Sequence, residues 1–294
     1  MLGSKLPAPQ ASANCFSRRR RDMYSPVHYS VLPGRGIRRA SPAPAAVFAS
    51  ARVRDQHTAG ACAERTGEMM RLLMHIVVRS GAEAAFGEVF AREVARLRQQ
   101  AVPPVRAVNA MRRVTSDPFG PRTPYRGTLE IRSDGQSAAA QLLPLVDGFA
   151  ERFAESVHAD LCTALVGEDR VFIAPSRTPI RYQYLMRRNA AFTHEAYLRR
   201  YAEIHSTFGL RTPGIRGYVQ FHVDPAVSKQ AAQAAGVGVW GVDSVSELHL
   251  DSVDGFLAAV SQVSIGVEAG ADEEIFVDRP NSLDFCSVVD WQEC

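Results

Sequence analysis

From residue 69 onward, two hydrophobic rhythms alternate along the chain. Continuous or alternating apolar runs mark strands, and apolar positions three or four apart mark helices. RLLMHIVVRS (71–80) is an apolar, β-branched run and predicts a strand. AEAAFGEVFAREVARLRQQ (82–100) sets Phe86, Phe90, Val94 and Leu97 on one helical face. VRAVNAMRRV (105–114) alternates, and YRGTLEIRS (125–133) follows a Pro/Gly-rich turn as a further strand. SAAAQLLPLVDGFAERFAESVH (137–158) reads as a helix kinked at Pro144, and ADLCTALV (159–166) closes the unit.

The same order then returns after roughly one hundred residues. IRYQYLMRR (180–188) predicts a strand. THEAYLRRYAEIH (193–205) predicts a helix with Thr193 as N-cap, Glu195 in the first turn and Phe192 stapled against Tyr197. IRGYVQFHV (215–223) and GVDSVSELHL (241–250) are strands, SVDGFLAAVSQ (252–262) is a helix capped by Asp251 or Ser252, and LDFCSVVDW (283–291) is the last strand.

Each half therefore reads βαββαβ, the ferredoxin-like order. The period is too long for a solenoid and suits two fused domains. A four-stranded sheet with helices on one face leaves the other face bare. At about 25 cal/mol per Å2, burying that face favours packing on a second such sheet. The predicted fold class is α+β: two ferredoxin-like units in tandem, packed about a pseudo-two-fold axis as a sandwich or barrel. The expected boundaries are 1–68, 69–175 and 176–294.

Charge separates the first 68 residues from the rest. The 294-residue chain carries a net charge of +3, yet residues 1–68 hold 11 of its 34 basic residues and 4 of its 31 acids, which leaves the remainder at −4. That body has no electrostatic reason to grip nucleic acid. The first segment is rich in Ala, Arg, Pro and Ser without periodicity, and is expected to be disordered. Its SRRRR run lacks the apolar region of a twin-arginine export signal. An over-extended start, with Met69 or Met70 as the true beginning, is the plainer expectation. No apolar run approaches the ~20 residues a membrane span needs. Five scattered cysteines (Cys15, Cys62, Cys162, Cys286 and Cys294) form no CxxC pair, which fits free thiols in a reducing cytoplasm.

The stretches RRNAAFTHEAYLRRYAEIH, PGIRGYVQFHV, GVDSVSELHLDSVDGFLAAV and DEEIFVDRPNSLDF of the second half, within about residues 180–291, resemble the EthD family of the dimeric α/β-barrel superfamily. The resemblance rests on a helix ending in Glu203-Ile204-His205, the Pro213-Gly214 turn and the strand Tyr218-Val219-Gln220 with His222-Val223. It continues through Glu247 and His249, the Asp251-Ser252 helix start and Phe276-Val277-Asp278. Ser206-Thr207-Phe208 replaces the usual Ala-Pro-Leu, and His249 stands where an aromatic residue is common. The first half lacks the histidine, although aligning Asp134 on Asp251 sets Glu130 opposite Glu247. The resemblance implies a barrel closed within one chain, one degenerate half, and one half that keeps the site.

Strand alternation places Tyr218, Gln220 and His222 on one face, and Glu247 and His249 on one face of the next strand. With the more apolar faces under the helices, this polar set is expected in the inter-sheet space. Tyr197, Tyr201 and His205 form one helical stripe. His205, Tyr218, His222 and Glu247 are the candidate catalytic residues. Tyr197, Tyr201, Gln220 and His249 are candidates for substrate binding. Histidine can act as base or acid, and tyrosine as donor to an enolate-like oxygen. The alternative is that the buried His, Glu and Gln only satisfy one another across the interface. His158 and His194 read as surface residues. No metal-ligand spacing, dinucleotide loop or P-loop is present, so neither metal nor cofactor is expected.

The leading functional expectation is a cofactor-independent enzyme of isomerase, dehydratase or cyclase type acting on a small apolar or aromatic molecule. The alternatives are a non-catalytic accessory or small-molecule-binding protein of an oxygenase pathway, and an EthD-type oxidoreductase. Neither nucleic acid nor membrane is expected as a partner, and the pseudo-dimer leaves further oligomerisation open.

Overall fold

The structure is a computed structural model that describes residues 69–290 apart from 136 and 137. The expected disorder of 1–68 lies outside the described residues, as do Cys15, Cys62 and Cys294. Eight strands follow the predicted order: β1 (Met69–Val77), β2 (Val105–Arg113), β3 (Tyr125–Asp134), β4 (Thr163–Ile173), β5 (Ile180–Met186), β6 (Gly217–Val223), β7 (Ser244–Leu250) and β8 (Leu283–Asp290). They close a barrel in the order β1-β3-β2-β8-β5-β7-β6-β4. The first four strands run β2-β3-β1-β4 and the last four β6-β7-β5-β8, joined where β4 meets β6 and β8 meets β2. All of these ladders are antiparallel. Closure leaves no unpaired sheet edge for another chain to extend.

The helices lie outside the barrel. In the first half α1 (Glu83–Gln100) buries Phe86, Phe90, Val94 and Leu97, the stripe the spacing predicts. The second helical stretch divides into α2 (Ala138–Val146) and α3 (Phe149–Arg152). The division falls at Gly148, whose φ of 64° is left-handed, rather than at Pro144, which sits inside α2. In the second half α4 (His194–Arg200) starts at Thr193, whose side chain accepts from the amide of Ala196 at 3.2 Å. A π-helical turn (Tyr201–His205) and α5 (Ser206–Arg211) continue it. The remaining helices are α6 (Pro225–Ala235), α7 (Val253–Val260), capped by Ser252, and α8 (Ile265–Phe276). Neither α6 nor α8 is among the elements the apolar rhythm predicts. Among the described residues, no helix is long and apolar enough to cross a membrane. Cys162 and Cys286 are buried free thiols.

The two helical layers are filled differently. In the first half, Phe86, Phe90, Phe149 and Phe153 stack over the sheet, with ring centroids 5.1 Å apart for Phe86–Phe90 and 4.3 Å for Phe149–Phe153. Each buried phenylalanine is worth roughly 1.5–3 kcal/mol of apolar transfer. In the second half the layer is rich in hydroxyl groups and lines a half-open cavity of about 240 Å3.

Candidate functional site

Strand register sorts the candidate residues into two separate sets. Residues directly opposite one another in an antiparallel ladder point to the same side. Tyr218 pairs with Leu248, Gln220 with Ser246, and Val219 with Glu247. Tyr218, Gln220 and His222 therefore lie under the helices, while Glu247 and His249 point into the barrel with Val219 and Phe221. This corrects the expectation that all five share the inter-sheet space. The apolar face of β6 is the one that faces inward, where Arg71 lies 4.7 Å from the centroid of Phe221.

The inward set is an ionic network between the halves. Arg71 of β1 reaches Glu247 of β7 at 2.5 Å and Glu130 of β3 at 2.8 Å. Arg181 of β5 reaches Glu130 at 2.5 Å and Glu247 at 3.6 Å. Asp169 adds a contact to Arg71 at 2.7 Å, and Gln183 donates to Glu247 at 2.7 Å. Burial alone would raise the Glu247 carboxyl, but Arg71 and Arg181 hold it down at about 2. Burial, aided by Arg181, pushes His249 down to about 3, so its ring is neutral. Glu130 and Glu247 occupy matching places in β3 and β7, as the Asp134–Asp251 alignment implies. The side chain of every member is buried, and none lines the cavity.

The outer set surrounds that cavity. Of the eight candidates, only His205 and Tyr218 are among its lining residues. Tyr197, Tyr201, Gln220 and His222 stand behind the wall. Tyr197 bonds Ser244 through its hydroxyl at 2.6 Å, and Tyr201 packs its ring 5.8 Å from those of both His205 and His222. Aromatic rings from three directions close the space: Tyr182 and Tyr184 from β5, Phe208 from α5 and Phe256 from α7. Phe119, from the loop after β2, crosses from the first half and meets the Tyr182 ring at 4.9 Å.

The polar end of the cavity is made by α8. His205 Nδ1 lies 2.9 Å from Asp272 Oδ2, and its Nε2 lies 3.8 Å from Glu273 Oε1. Arg200 bonds the other oxygen of Asp272. Burial pushes the His205 pKa down against the pull of Asp272, which favours a neutral ring. A neutral ring facing a carboxylate through Nδ1 carries its proton there and leaves the Nε2 lone pair open. Burial pushes the Glu273 carboxyl up to about 7, only partly offset by Arg279. Burial likewise pushes Tyr218 up to about 12, so it keeps its proton.

Asp272 and Glu273 are the residues that sequence reasoning missed. They sit on α8, whose apolar positions follow no clean helical period, and the stretch DEEIF carries enough charge to read as solvated surface. The π-turn was equally hidden; such turns are rare and occur often at functional sites. His194, read as a surface residue, is half-buried and bridges Asp243 Oδ1 at 2.9 Å and the Val223 carbonyl at 3.0 Å. Among the described residues, no group of three or more His, Cys, Asp or Glu side chains is placed to hold a metal ion.

Residues 189–280 match the family model for the EthD domain. The second half carries an EthD domain. The match spans α4, the π-turn, β6, β7 and α8, and so takes in His205, Tyr218, Asp272 and Glu273. An anthrone oxidase-like protein of solved structure is similar in fold, with a TM-score of 0.53 at 12% identity over 78% of this chain and 94% of that one. A protein from Lactobacillus acidophilus NCFM, described only as a candidate monooxygenase, reaches 0.45 at 8% identity over 77% and 99% of the two chains. A heme-binding protein from Thermus thermophilus reaches 0.41 at 12% identity over 76% and 91%. At 12% identity the likeness to the anthrone oxidase-like protein is one of fold alone. No curated protein matches this chain. The matched residues lie wholly in the second half, whose helical layer lines the 240 Å3 cavity, whereas a wider cavity of about 1190 Å3 flanks α1 of the first half along Phe90, Val94 and Arg98. In that first half, Phe86 lies over Gly127 much as Tyr197 lies over Ser244.

Proposed function

We propose that the EthD domain is an enzyme that removes a proton from a small, neutral, largely apolar molecule and returns it, as an isomerase, dehydratase or cyclase does. The observation that carries this reading is the pairing of an oriented imidazole with a carboxyl held near neutrality, 3.8 Å apart at the end of an aromatic cavity. His205, steered by Asp272, offers its Nε2 as base. Glu273 offers a proton from the adjacent wall, and at neutral pH both of its forms are populated, which is the condition for moving a proton in either direction. Tyr218 can stabilise an enolate-like oxygen by donating its hydroxyl proton. Among the described residues, no arginine lines the cavity, which favours a neutral molecule over a carboxylate or phosphate.

The test is deuterium exchange. Small aromatic ketones such as 4-fluoroacetophenone are incubated with the full chain in D2O, and incorporation beside the carbonyl is read by mass. Wild type should exceed buffer, and His205→Ala and Glu273→Gln should each lose about 10^2-fold or more. Ketones that raise the melting temperature of the protein without exchange would instead favour a binding protein.

A further inference from the structure

Gln220 is fully buried behind the cavity wall, and its hydrogen bonds admit only one arrangement. Its Nε2 lies 2.9 Å from the Tyr201 carbonyl oxygen and 2.6 Å from the Tyr218 hydroxyl. A carbonyl can only accept, so the amide nitrogen must face Tyr201; turning the amide over would set two acceptors against each other. Both amide hydrogens are then used, one on Tyr201 and one on the Tyr218 oxygen. Oε1 is left facing His222 Nε2 at 3.2 Å, so that nitrogen must be the one bearing hydrogen.

Two consequences reach the cavity. The first concerns the π-turn Tyr201–His205, in which the Tyr201 carbonyl accepts the backbone amide of Ser206 and has a second lone pair free. Gln220 supplies a donor to Tyr201, four residues before His205. The second concerns Tyr218. Its oxygen already accepts from Gln220, so its own proton must be directed elsewhere: to the neighbouring Tyr201 hydroxyl, or into the cavity that its ring lines. Phe172 stacks on that ring at 5.2 Å from one side, and Gly209 of α5 closes on it from the other. The ring has no freedom to turn away.

We propose that Gln220 is a positioning residue that clamps the π-turn bearing His205 and turns the Tyr218 hydroxyl proton into the cavity, toward a carbonyl oxygen of the bound molecule. The destination of that proton rests on the reading of the cavity given above; the order of hydrogen bonds does not.

The experiment has one readout that needs no ligand and one that does. Nitrogen-15 NMR of His222 should show hydrogen on Nε2. The infrared carbonyl stretch of 4-fluoroacetophenone bound to the full chain should be lowered, as for a hydrogen-bonded ketone. Tyr218→Phe and Gln220→Glu should both abolish that lowering and weaken binding about tenfold. In Gln220→Glu the new carboxylate accepts the Tyr218 proton instead of donating to its oxygen. Gln220→Met, similar in length and without donors, serves should the glutamate variant fail to fold; it should weaken exchange as the clamp on the π-turn is lost.

Hydrogen on Nδ1 of His222 would overturn the proposal. So would a lowered stretch that survives Gln220→Glu but not Tyr218→Phe, or exchange lost in His205→Ala yet untouched in both Gln220 variants. No ketone bound by wild type, with hydrogen still on Nε2 of His222, would uphold the clamp and instead sink the reading of the cavity as a ketone site.

Discussion

Asp272 accepts a hydrogen bond from Nδ1 of His205 across 67 residues of sequence, joining α8 to the end of the π-turn at 2.9 Å. This contact decides which nitrogen of the imidazole faces the cavity. Asp272→Asn keeps the shape of the side chain but allows the amide to present its nitrogen, which favours the opposite tautomer. Exchange activity should fall by about ten- to a hundredfold, with nitrogen-15 NMR showing the His205 hydrogen redistributed. Unchanged activity in a folded variant would remove Asp272 from the mechanism.

Glu273 predicts an unusual dependence of stability on pH. Its folded pKa of about 7 lies above the ordinary 4.5. Between those values the folded state holds a proton that the unfolded state has released. Stability therefore falls as pH rises through this window. The loss is on the order of 3 kcal/mol at most, from a shift of this size at about 1.4 kcal/mol per unit. Glu273→Gln should remove that slope, so the variant should be the more stable protein above neutrality and should lose the advantage by pH 4. Denaturant midpoints measured across this range give the answer.

The barrel interior predicts the opposite behaviour. Glu247 has a folded pKa of about 2, below its ordinary 4.5, so its contribution is complete above 4.5 and is lost as pH falls toward 2. Glu247→Gln should destabilise by roughly 3–5 kcal/mol, because Arg71 and Arg181 stay buried with less countercharge. A double-mutant cycle with Arg71→Met should show coupling of about 1 kcal/mol or more. Additive effects would mean that this contact does not hold the halves together.

Gly209 tests the packing behind Tyr218. A Cβ at this position would collide with the ring of Tyr218, which is backed by Phe172. Gly209→Ala should therefore cost about 1–3 kcal/mol despite the better helix propensity of alanine. It should also displace the Tyr218 hydroxyl and weaken ketone binding. A stabilised variant would show that the ring can yield.

Much of this architecture was legible in the sequence because it rests on local periodicity. The Phe86–Leu97 stripe, the Thr193 cap and the alternation of β6 and β7 each specify their own element. What alternation could not give was which face of β6 turns inward. Tyr218, Gln220 and His222 look like barrel lining until pairing with β7 puts Val219 beside Glu247. The inner face is polar in this protein because Arg71 and Arg181 neutralise it, one from each half, and no local pattern announces a partner 176 residues away. Helix α6 was readable after all: Asp224 caps it, Pro225 opens it and Gly236 closes it. Helix α8 has no cap bond from its Ser264 and no regular apolar stripe, so Asp272 and Glu273 emerge only in three dimensions.

The carboxyl of Glu273 is where the account can be tested most directly. Carbon-13 NMR of glutamate-labelled protein, with the resonance assigned by its absence in Glu273→Gln, follows its titration without any substrate. The account predicts a midpoint near 7. A midpoint close to the ordinary glutamate value of 4.5 would mean an ionised side chain in contact with water, and would contradict it.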